Sequence, residues 1–478
     1  MTTRATPLDR IDPAEAWAPW APAPGDPWDR RWAGHLYRRA AFGASWPDLQ
    51  AALDAGPEVT INRLLAGDEG HDEFDRLMDE LGPGSTPSQP QEGTEAGLQA
   101  WWLHRMVRTG HPLRERMTLF WHNHFATSNL KVRQPALMAQ QNVLIRRHAL
   151  GKFEPFLLEM SRDPAMLIWL DSNSNTRGRP NENYAREVME LFALGVGHYT
   201  EGDVREAARA FTGWHTDGRR FTFNRSEHDG GTKTVLGRSG DWDGGDIVRI
   251  VLEQPASARF LVAKLYRYFI SEGAAPPDRL LEPLAERFRA SGNDIADLVG
   301  TVLRSRLFFS EHAHRQRVKS PVEYVVGMLR ALEARYEPPV EYYGPQAQTR
   351  LLDGLGQELF APPSVKGWAG GEAWLSSATL LARHNLAWKV VQATPGPLGV
   401  ASSPHDLVRR YALRRDPEGQ INVLLELLLQ PAAGEVAEGA RRRLVEFLGQ
   451  GRPRAAATEG RVREAAHAIL LMPEYQLS

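Results

Sequence analysis

The stretch PNENYAREVMELFALG, residues 180–195, has the residue spacing of an amphipathic helix. At about 100° per residue, its apolar side chains share one arc: Tyr184, Val188, Leu191 and Phe192. The opposite arc is polar and holds Asn183, Glu187 and Glu190, with Arg186 at its margin. Helical spacing of this kind also dominates residues 98–214 and 247–336. The sequence therefore predicts a mainly α protein, a large multi-helix globular domain.

Strand signals are confined to a short region after this run of helices. The segment HTDGRRFTF (215–223) places Asp-Gly between alternating residues, which is a hairpin signal. We therefore expect one small β-hairpin insert near 214–236. Residues 1–29 are rich in Pro and Trp and are expected to be extended, and 82–97 has the composition of a linker. We place a helical core domain with a polar pocket at 30–390, and a C-terminal helical extension packed on it at 391–478.

Composition excludes several classes of function. The chain has 57 Lys plus Arg against 59 Asp plus Glu, so its overall charge gives no reason to expect nucleic acid. It has no cysteine, which excludes disulfides and thiolate catalysis. No apolar run approaches the roughly 18–20 residues of a membrane span. The N-terminal sequence lacks the pattern of a signal peptide. We therefore expect a cytoplasmic protein, with export alongside a partner left open.

The polar arc of residues 180–195 has two interpretations. Glu182, Arg186 and Glu190 are spaced four residues apart, so they can form a surface ion-pair ladder in which each pair contributes about 0.2–0.5 kcal/mol. Alternatively the arc lines a pocket, where Glu187 and Glu190 act as acid and base or bind a metal.

A second candidate lies in LRERMTLFWHNHFATSN, residues 113–129. His122 and His124 would lie about 200° apart on a helix, so they cannot share one ion. His124 continues the apolar stripe, which predicts that it alone faces inward. It is then either a hydrogen-bonded core histidine or a catalytic residue. We expect Glu187 or Glu190 to lie within side-chain reach of it, and both carboxylates to be mostly buried.

Two loops carry further candidates. In SEHDGGTK (226–233), His228 and Asp229 could bind a metal, whereas Lys233 favours an anionic or polyhydroxylated ligand. Asp-Gly-Gly is also common in turns. If the loop is functional, we expect it to fold over the mouth of the pocket. In APPSVKGWAGGEAW (361–374), Lys366 and Trp368 could bind a sugar or peptide, although large rings in such loops often serve packing.

Several long motifs resemble one protein family. They are FWHNHFAT (120–127), DPAMLIWLD (163–171), PNENYAREVMELFALG (180–195), HDGGTKTVLG (228–237), VKSPVEYVVGMLRAL (318–332) and VKGWAGGEAW (365–374). Together they are similar to the bacterial domain-of-unknown-function family 1800, and the similarity runs from about Arg31 to the last residue. The resemblance implies a largely helical fold and no settled activity. Where this chain has Phe192 and Ala193, the family pattern usually has histidine and threonine.

The resemblance favours a shared polar pocket over a surface ladder. The family motifs contain polar residues in several separate segments, and a ladder on one helix would not account for them. The residues concerned are His124, Asp171, Asn183, Glu187 and Glu190. Members of the family are often exported, and their genes tend to accompany a phosphatase- or sulfatase-like protein. That protein is therefore an expected partner.

Three functions remain open. The first is a hydrolase-like enzyme that depends on a divalent metal, with His124, Glu187 and Glu190 as catalytic residues and His228 and Asp229 as ligands. The second is a non-catalytic module for a glycan or peptide. The third is a partner or maturation factor for the phosphatase- or sulfatase-like protein. The predicted substrate-binding residues are Asp171, Asn183, Arg186, Trp214, Lys233, Lys366 and Trp368.

Overall fold

The computed structural model describes residues 7–67, 72–81, 95–273, 275–336, 351–392, 400–432, 434–449 and 457–478. Of these residues 61% are helical, and strands form only small two-stranded antiparallel sheets. The predicted mainly α fold is therefore confirmed. Most of the predicted linker at 82–97, namely 82–94, lies outside the described residues.

The helices of the first half precede and surround the predicted hairpin. They are α1 (Pro13–Trp17), α2 (Arg30–Ala40), α3 (Trp46–Ala66), α4 (Asp72–Leu81), α5 (Glu95–Arg108), α6 (Pro112–His124), α7 (Asn129–Val132), α8 (Pro135–His148), α9 (Phe153–Ser161), α10 (Pro164–Trp169), α11 (Asn183–Glu187) and α12 (Glu201–Ala210). A π-helix, Val188–Ala193, continues α11 directly. Short 3₁₀ turns occupy Leu8–Arg10, Ser172–Ser174 and Arg225–Glu227.

The second half is built in the same way. Its helices are α13 (Gly244–Leu252), α14 (Pro255–Phe269), α15 (Asp278–Ala290), α16 (Ile295–Arg304), α17 (Pro321–Ala331), α18 (Ser377–Val391), α19 (Pro404–Tyr411), α20 (Pro417–Leu428), α21 (Glu438–Gly449), α22 (Glu459–Leu470) and α23 (Pro473–Gln476). A further 3₁₀ turn spans Gly371–Trp374.

The strands form three antiparallel pairs. They are β1 (Trp214–Thr216) with β2 (Phe221–Phe223), β3 (Lys233–Val235) with β4 (Arg238–Gly240), and β5 (Arg335–Tyr336) with β6 (Val400–Ala401). The first pair is the predicted hairpin, in register Trp214 to Phe223. The second extends the strand region slightly beyond the expected limit at residue 236.

Local sequence fixes several helix starts. Thr200 and Asp203 bond each other's backbone N–H groups in a capping box at the start of α12, as their spacing suggests. Ser320 and Glu323 do the same at α17. Glu323 is also buried in the protein, so this residue links a helix start to the interior described below.

The interior consists mainly of two large apolar clusters. The first is formed chiefly by α6 and α9–α16. The second joins α5 and α17 to the C-terminal helices α18–α22. The helices of residues 391–478 thus share a core with earlier parts of the chain, although the exact boundary at 391 stays a prediction. Within the described ranges, no helix combines the length and apolar character that crossing a bilayer requires.

Helix α6 contributes side chains to both clusters, and this corrects one expectation. His122 is 1% exposed and His124 is 5% exposed, so both histidines face inward. The His122 ring packs against Trp102 and Phe360, and its Nε2 accepts a hydrogen bond from the Phe360 N–H at 3.2 Å. The expectation of one inward histidine was wrong because it assumed a helix with a solvent-exposed face.

Candidate functional site

The end of the π-helix supplies backbone acceptors to two side chains, the buried His124 and the half-buried Lys264. The N–H groups of Leu194 and Gly195 both donate to the Met189 carbonyl at 3.0 Å, which widens the last turn. The carbonyl of Phe192 lies 3.0 Å from Nε2 of His124. The neighbouring carbonyl of Leu191 accepts a hydrogen bond from Nζ of Lys264 at 2.9 Å. The helix end is therefore capped by side chains from α6 and α14.

These contacts determine the protonation state of His124. A carbonyl oxygen can only accept, so Nε2 of His124 must carry the proton. The other ring nitrogen, Nδ1, lies 3.0 Å from Nζ of Lys264 and accepts from it. Burial and the Lys264 charge hold the pKa of His124 well below its usual range, despite the opposing bond to Phe192. His124 is therefore a neutral imidazole.

Lys264 has an unusual environment for a lysine. Burial lowers its pKa to about 7, against about 10.4 for a lysine in water. Its Nζ lies 4.6 Å from the centre of the Phe260 ring. No carboxylate of the described residues forms an ion pair with it; its partners are His124 and the Leu191 carbonyl.

His124 and Lys264 line an open cavity of about 660 Å³. We call it the His124–Lys264 cavity. Its wall combines aromatic rings, cationic groups, carboxylates and amides from α6, α14, α17 and the loop at 364–374. Its main side chains are Phe120, Asn123, His124, Lys264, Arg267, Tyr268, Glu272, Arg317, Glu323, Gln357, Lys366, Trp368 and Trp374.

The two carboxylates of the cavity, Glu272 and Glu323, form ion pairs with buried arginines. Arg317 contacts Glu272 at 2.9 Å and Glu323 at 3.3 Å, and Arg116 also pairs with Glu323. Burial alone would raise the pKa of Glu323, but the charges of Arg116 and Arg317 outweigh it and lower that pKa to about 2. Glu323 therefore stays ionised at neutral pH, and both acids are paired with Arg317. The excess charge of the cavity is positive.

The glycine and tryptophan loop is fixed to α6 by one amide. Oδ1 of Asn123 accepts a hydrogen bond from the Trp368 N–H at 2.8 Å. Gly367 has φ +75°, and a Cβ there would lie 2.1 Å from that same oxygen. The loop can approach α6 only because residue 367 is glycine. The predicted binding residues Lys366 and Trp368 do line the cavity, together with Trp374.

Glu187 and Glu190, the carboxylates of residues 180–195, do not form the expected contact with His124. Glu187 and Glu190 are half-buried, and neither is a hydrogen-bond partner of His124. Glu190 accepts from the Tyr199 hydroxyl at 3.1 Å. Burial and the Glu190 charge raise the pKa of Glu187, whereas the charges of Arg186 and Lys366 lower it. The expected contact with His124 is absent because backbone carbonyls of the π-helix occupy the place of a carboxylate.

Arg186, Asn183 and Asp171 form their contacts outside the cavity. Arg186 bonds Glu182 at 3.0 Å, which is one of the two pairs of the ladder interpretation. Its second partner is Glu201 at 2.7 Å and not the expected Glu190. Asn183 is exposed and donates to the Leu170 carbonyl at 3.4 Å. Asp171 is exposed and pairs with Lys131 at 2.8 Å. None of the predicted binding residues Arg186, Asn183 and Asp171 is in the wall of the His124–Lys264 cavity.

The loop at 226–233 is held on α12 and does not cover the cavity. Nδ1 of His228 lies 2.9 Å from the Thr212 carbonyl. Asp229 bonds the Arg209 guanidinium at 2.8 and 3.2 Å, and this contact lowers the pKa of Asp229 to about 2. The expected position over the pocket mouth was wrong, because the arginine of α12 binds the loop acid.

The remaining predicted residues also have structural partners. Lys233 is buried, with its Nζ 3.3 Å from Oδ1 of Asp241. The Trp214 ring is buried against Phe211 and Phe221. In the part of the chain that the structure describes, no three His, Asp or Glu side chains converge to hold a metal ion. The predicted metal ligands His228 and Asp229 therefore gain no support.

Lys264 and the buried arginines were missed by sequence reasoning. Arg116 lies between the rings of Phe42 and Tyr268, at 5.3 and 4.9 Å from their centres. Its burial depends on residues more than 70 positions away in the chain, which no local pattern reveals. A weak signal was present in Glu323, whose capping-box spacing with Ser320 lies inside a long apolar run.

No curated protein and no solved structure matches the chain. A family model with the description "Protein of unknown function (DUF1800)" matches residues 35–477, nearly the whole chain. That span includes every residue of the His124–Lys264 cavity. The chain therefore belongs to the DUF1800 family.

Proposed function

We propose that this protein binds a small anionic, ring-bearing molecule in the His124–Lys264 cavity, and that an acidic saccharide is the class that fits best. The observation that carries the proposal is the unpaired positive charge of the wall. Arg267 and Lys366 are exposed at the cavity and form no ion pair with any described carboxylate. Lys264 adds a third cationic centre when protonated.

The aromatic groups of the wall support a ring-bearing ligand. Trp368, Trp374 and Tyr268 come from two segments that meet at the cavity. Flat aromatic surfaces stack with sugar rings and other planar groups. This arrangement favours the glycan-binding alternative, with Trp214 replaced by Tyr268 because Trp214 packs elsewhere in the core.

A polyhydroxylated ligand is also supported by a free acceptor. Oε1 of Glu272 accepts from Arg317 at 2.9 Å. Its other oxygen, Oε2, is buried and has no hydrogen-bond partner among the described residues. A ligand hydroxyl can donate to Oε2, and a second acidic ligand group would be repelled there. We therefore place hydroxyl groups at Glu272 and the anionic group near Arg267 and Lys366.

The metal-dependent hydrolase receives less support than a binding function. Both ring nitrogens of His124 are already hydrogen-bonded, one to Phe192 and one to Lys264. Glu187 and Glu190 have no contact with that histidine in the described contacts. The partnership with a phosphatase- or sulfatase-like protein rests on the family resemblance alone, and co-purification of the two proteins tests it.

Calorimetric titration tests the binding proposal. We expect an acidic oligosaccharide that contains uronic acid to bind with a Kd at least about tenfold below that of a neutral oligosaccharide of equal length, a difference of about 1.4 kcal/mol. The double variant Arg267→Ala/Lys366→Ala should lose this preference. Lys131→Ala is the matched control, since Lys131 pairs with Asp171 outside the cavity. Equal binding of acidic and neutral ligands, or no binding of either, overturns the proposal.

A further inference from the structure

We propose that Lys264 is an amine nucleophile that captures a carbonyl group of a small carboxylic acid and forms an imine with it. The inference rests on the proposed function, because it places the ligand in the same anion-binding cavity. It goes further in naming a covalent step and the atom that performs it.

The hydrogen bonds of Nζ fit a neutral amine. A neutral lysine has two N–H donors and one lone pair, whereas the charged form has three donors. Two acceptors face Nζ: His124 Nδ1 at 3.0 Å and the Leu191 carbonyl at 2.9 Å. Both accept and cannot donate, since the His124 proton is held on Nε2 by Phe192. The two donors of a neutral amine are thus satisfied, and the lone pair is left over.

The surroundings also disfavour the charged form. No described carboxylate pairs with Nζ, and its two hydrogen-bond partners, His124 and the Leu191 carbonyl, are both uncharged. Lysines in apolar settings lose their charge readily, and such lysines serve as nucleophiles toward carbonyl groups. The pKa of Lys264, lowered by burial to about 7, agrees with this geometry. Because Lys264 lines the open cavity, a ligand can reach the amine.

The cavity offers a place for the acid group of the ligand. Arg267 follows Lys264 by three residues on α14, so the two side chains lie on neighbouring positions of one helix face. Lys366 approaches the same cavity from the glycine loop. A carboxylate bound by these two cations would hold an adjacent carbonyl carbon near Nζ. The chemical class is therefore an aldehyde acid or a 2-oxo acid.

The proposed step balances without a redox partner. The lone pair of Nζ attacks the carbonyl carbon, and the π electrons of the C=O bond move to oxygen. Both amine protons leave with that oxygen as one water molecule, and the C–O bond breaks as the C=N bond forms. Protonation of the imine restores one N–H, which can donate to His124 or to the Leu191 carbonyl.

Reductive trapping tests the inference on the wild-type protein. The probe is glyoxylate, which carries an aldehyde beside a carboxylate, with cyanoborohydride at pH 7 and peptide mapping of the modified lysines. Lys264 has no carboxylate partner among the described residues, whereas Lys131 is ion-paired with Asp171, so we expect Lys264 to be labelled at least about tenfold faster than Lys131. Glycolate, which lacks the carbonyl, should slow this labelling by competition.

Two controls separate the possible failures. Lys264→Arg keeps a cation but removes the nucleophile, and it should abolish the fast labelling while glycolate still binds. Arg267→Ala should slow the labelling at Lys264 and leave that at Lys131 unchanged. Labelling of Lys264 no faster than of Lys131, with glycolate still bound, overturns the imine and leaves the anion site standing. If glycolate does not bind but the acidic oligosaccharide does, the imine inference alone fails. If neither binds, both proposals fail.

Discussion

Nζ of Lys264 lies 3.0 Å from Nδ1 of His124, and this contact joins the end of a π-helix to the wall of an open cavity. His124 holds the Phe192 carbonyl with its other nitrogen, and Lys264 holds the Leu191 carbonyl. The pair therefore has a structural role at the helix end and leaves an amine accessible from the cavity.

Lys264 should make stability rise with pH in the neutral to alkaline range. Its pKa in the folded protein is about 7, below the value of about 10.4 in an unfolded chain. Between these values the unfolded state binds more protons, so the free energy of unfolding rises with pH, by up to about 1.4 kcal/mol per unit. Lys264→Met should lose this rise. Urea unfolding from pH 7.5 to 9.5 measures the slopes, and parallel slopes for the two proteins would refute the shift.

Glu323 should govern part of the acid unfolding. Its pKa in the folded protein is about 2, below the unfolded value of about 4.3. Its stabilising contribution is therefore complete above the unfolded pKa and is lost as pH falls toward 2. Glu323→Gln keeps the helix cap but leaves Arg116 without its carboxylate partner and Arg317 with Glu272 alone, which should cost about 3–5 kcal/mol at neutral pH.

The matched control is Glu154→Gln, because Glu154 is exposed on α9. Thermal unfolding at pH 7, 4 and 2.5 should show that Glu323→Gln differs least from the wild type at the lowest pH. A constant difference across the three values would mean that packing, and not the charge of Glu323, accounts for the loss.

Gly367→Ala should disrupt the cavity wall. The substitution adds a Cβ 2.1 Å from Oδ1 of Asn123 at a residue with φ +75°. Gly178→Ala is a close control, since Gly178 has φ +82° but nothing within 4 Å of an added Cβ. The control should lose only the backbone term of about 1–2 kcal/mol. We expect Gly367→Ala to lose more stability and also to weaken ligand binding, whereas equal losses and intact binding would show that the loop tolerates the shift.

Glu187→Gln should strengthen the binding of an anionic ligand. The Glu187 charge lies close enough to Lys366 for the two to influence each other. Removing that negative charge leaves Lys366 more attractive to an anion, by about twofold at low salt. Titration calorimetry of the wild type and the variant measures the change. A loss of binding greater than tenfold would instead restore Glu187 as a direct ligand contact.

The sequence predicts the parts of this structure that depend on local spacing. The helical pattern, the hairpin at Trp214–Phe223 and the capping box at Thr200 are all local, and all are present. Lys366 and Trp368 could be placed in a cavity wall because glycine loops often present such residues.

The site itself depends on contacts that local spacing cannot show. Helix α6 is buried on both sides, which a single apolar stripe does not reveal. Lys264 is partly buried because the π-helix end lies against α14, some 70 residues away in sequence. One of its acceptors is the backbone carbonyl of Leu191. Every residue has such a carbonyl, so the side-chain sequence does not mark this acceptor. The position of Lys264 in α14 therefore gives no local sign of its partners.

The measurement that tests the account most directly is an NMR titration of Lys264 in protein with isotope-labelled lysine side chains. Without ligand, the Lys264 signal should titrate with a midpoint near the pKa of about 7 given by its burial. With an acidic saccharide bound, the midpoint should rise, because an anion beside Nζ favours the charged amine. A midpoint near 10.4, the value of a lysine in water, or one that the saccharide leaves unchanged, would contradict the account.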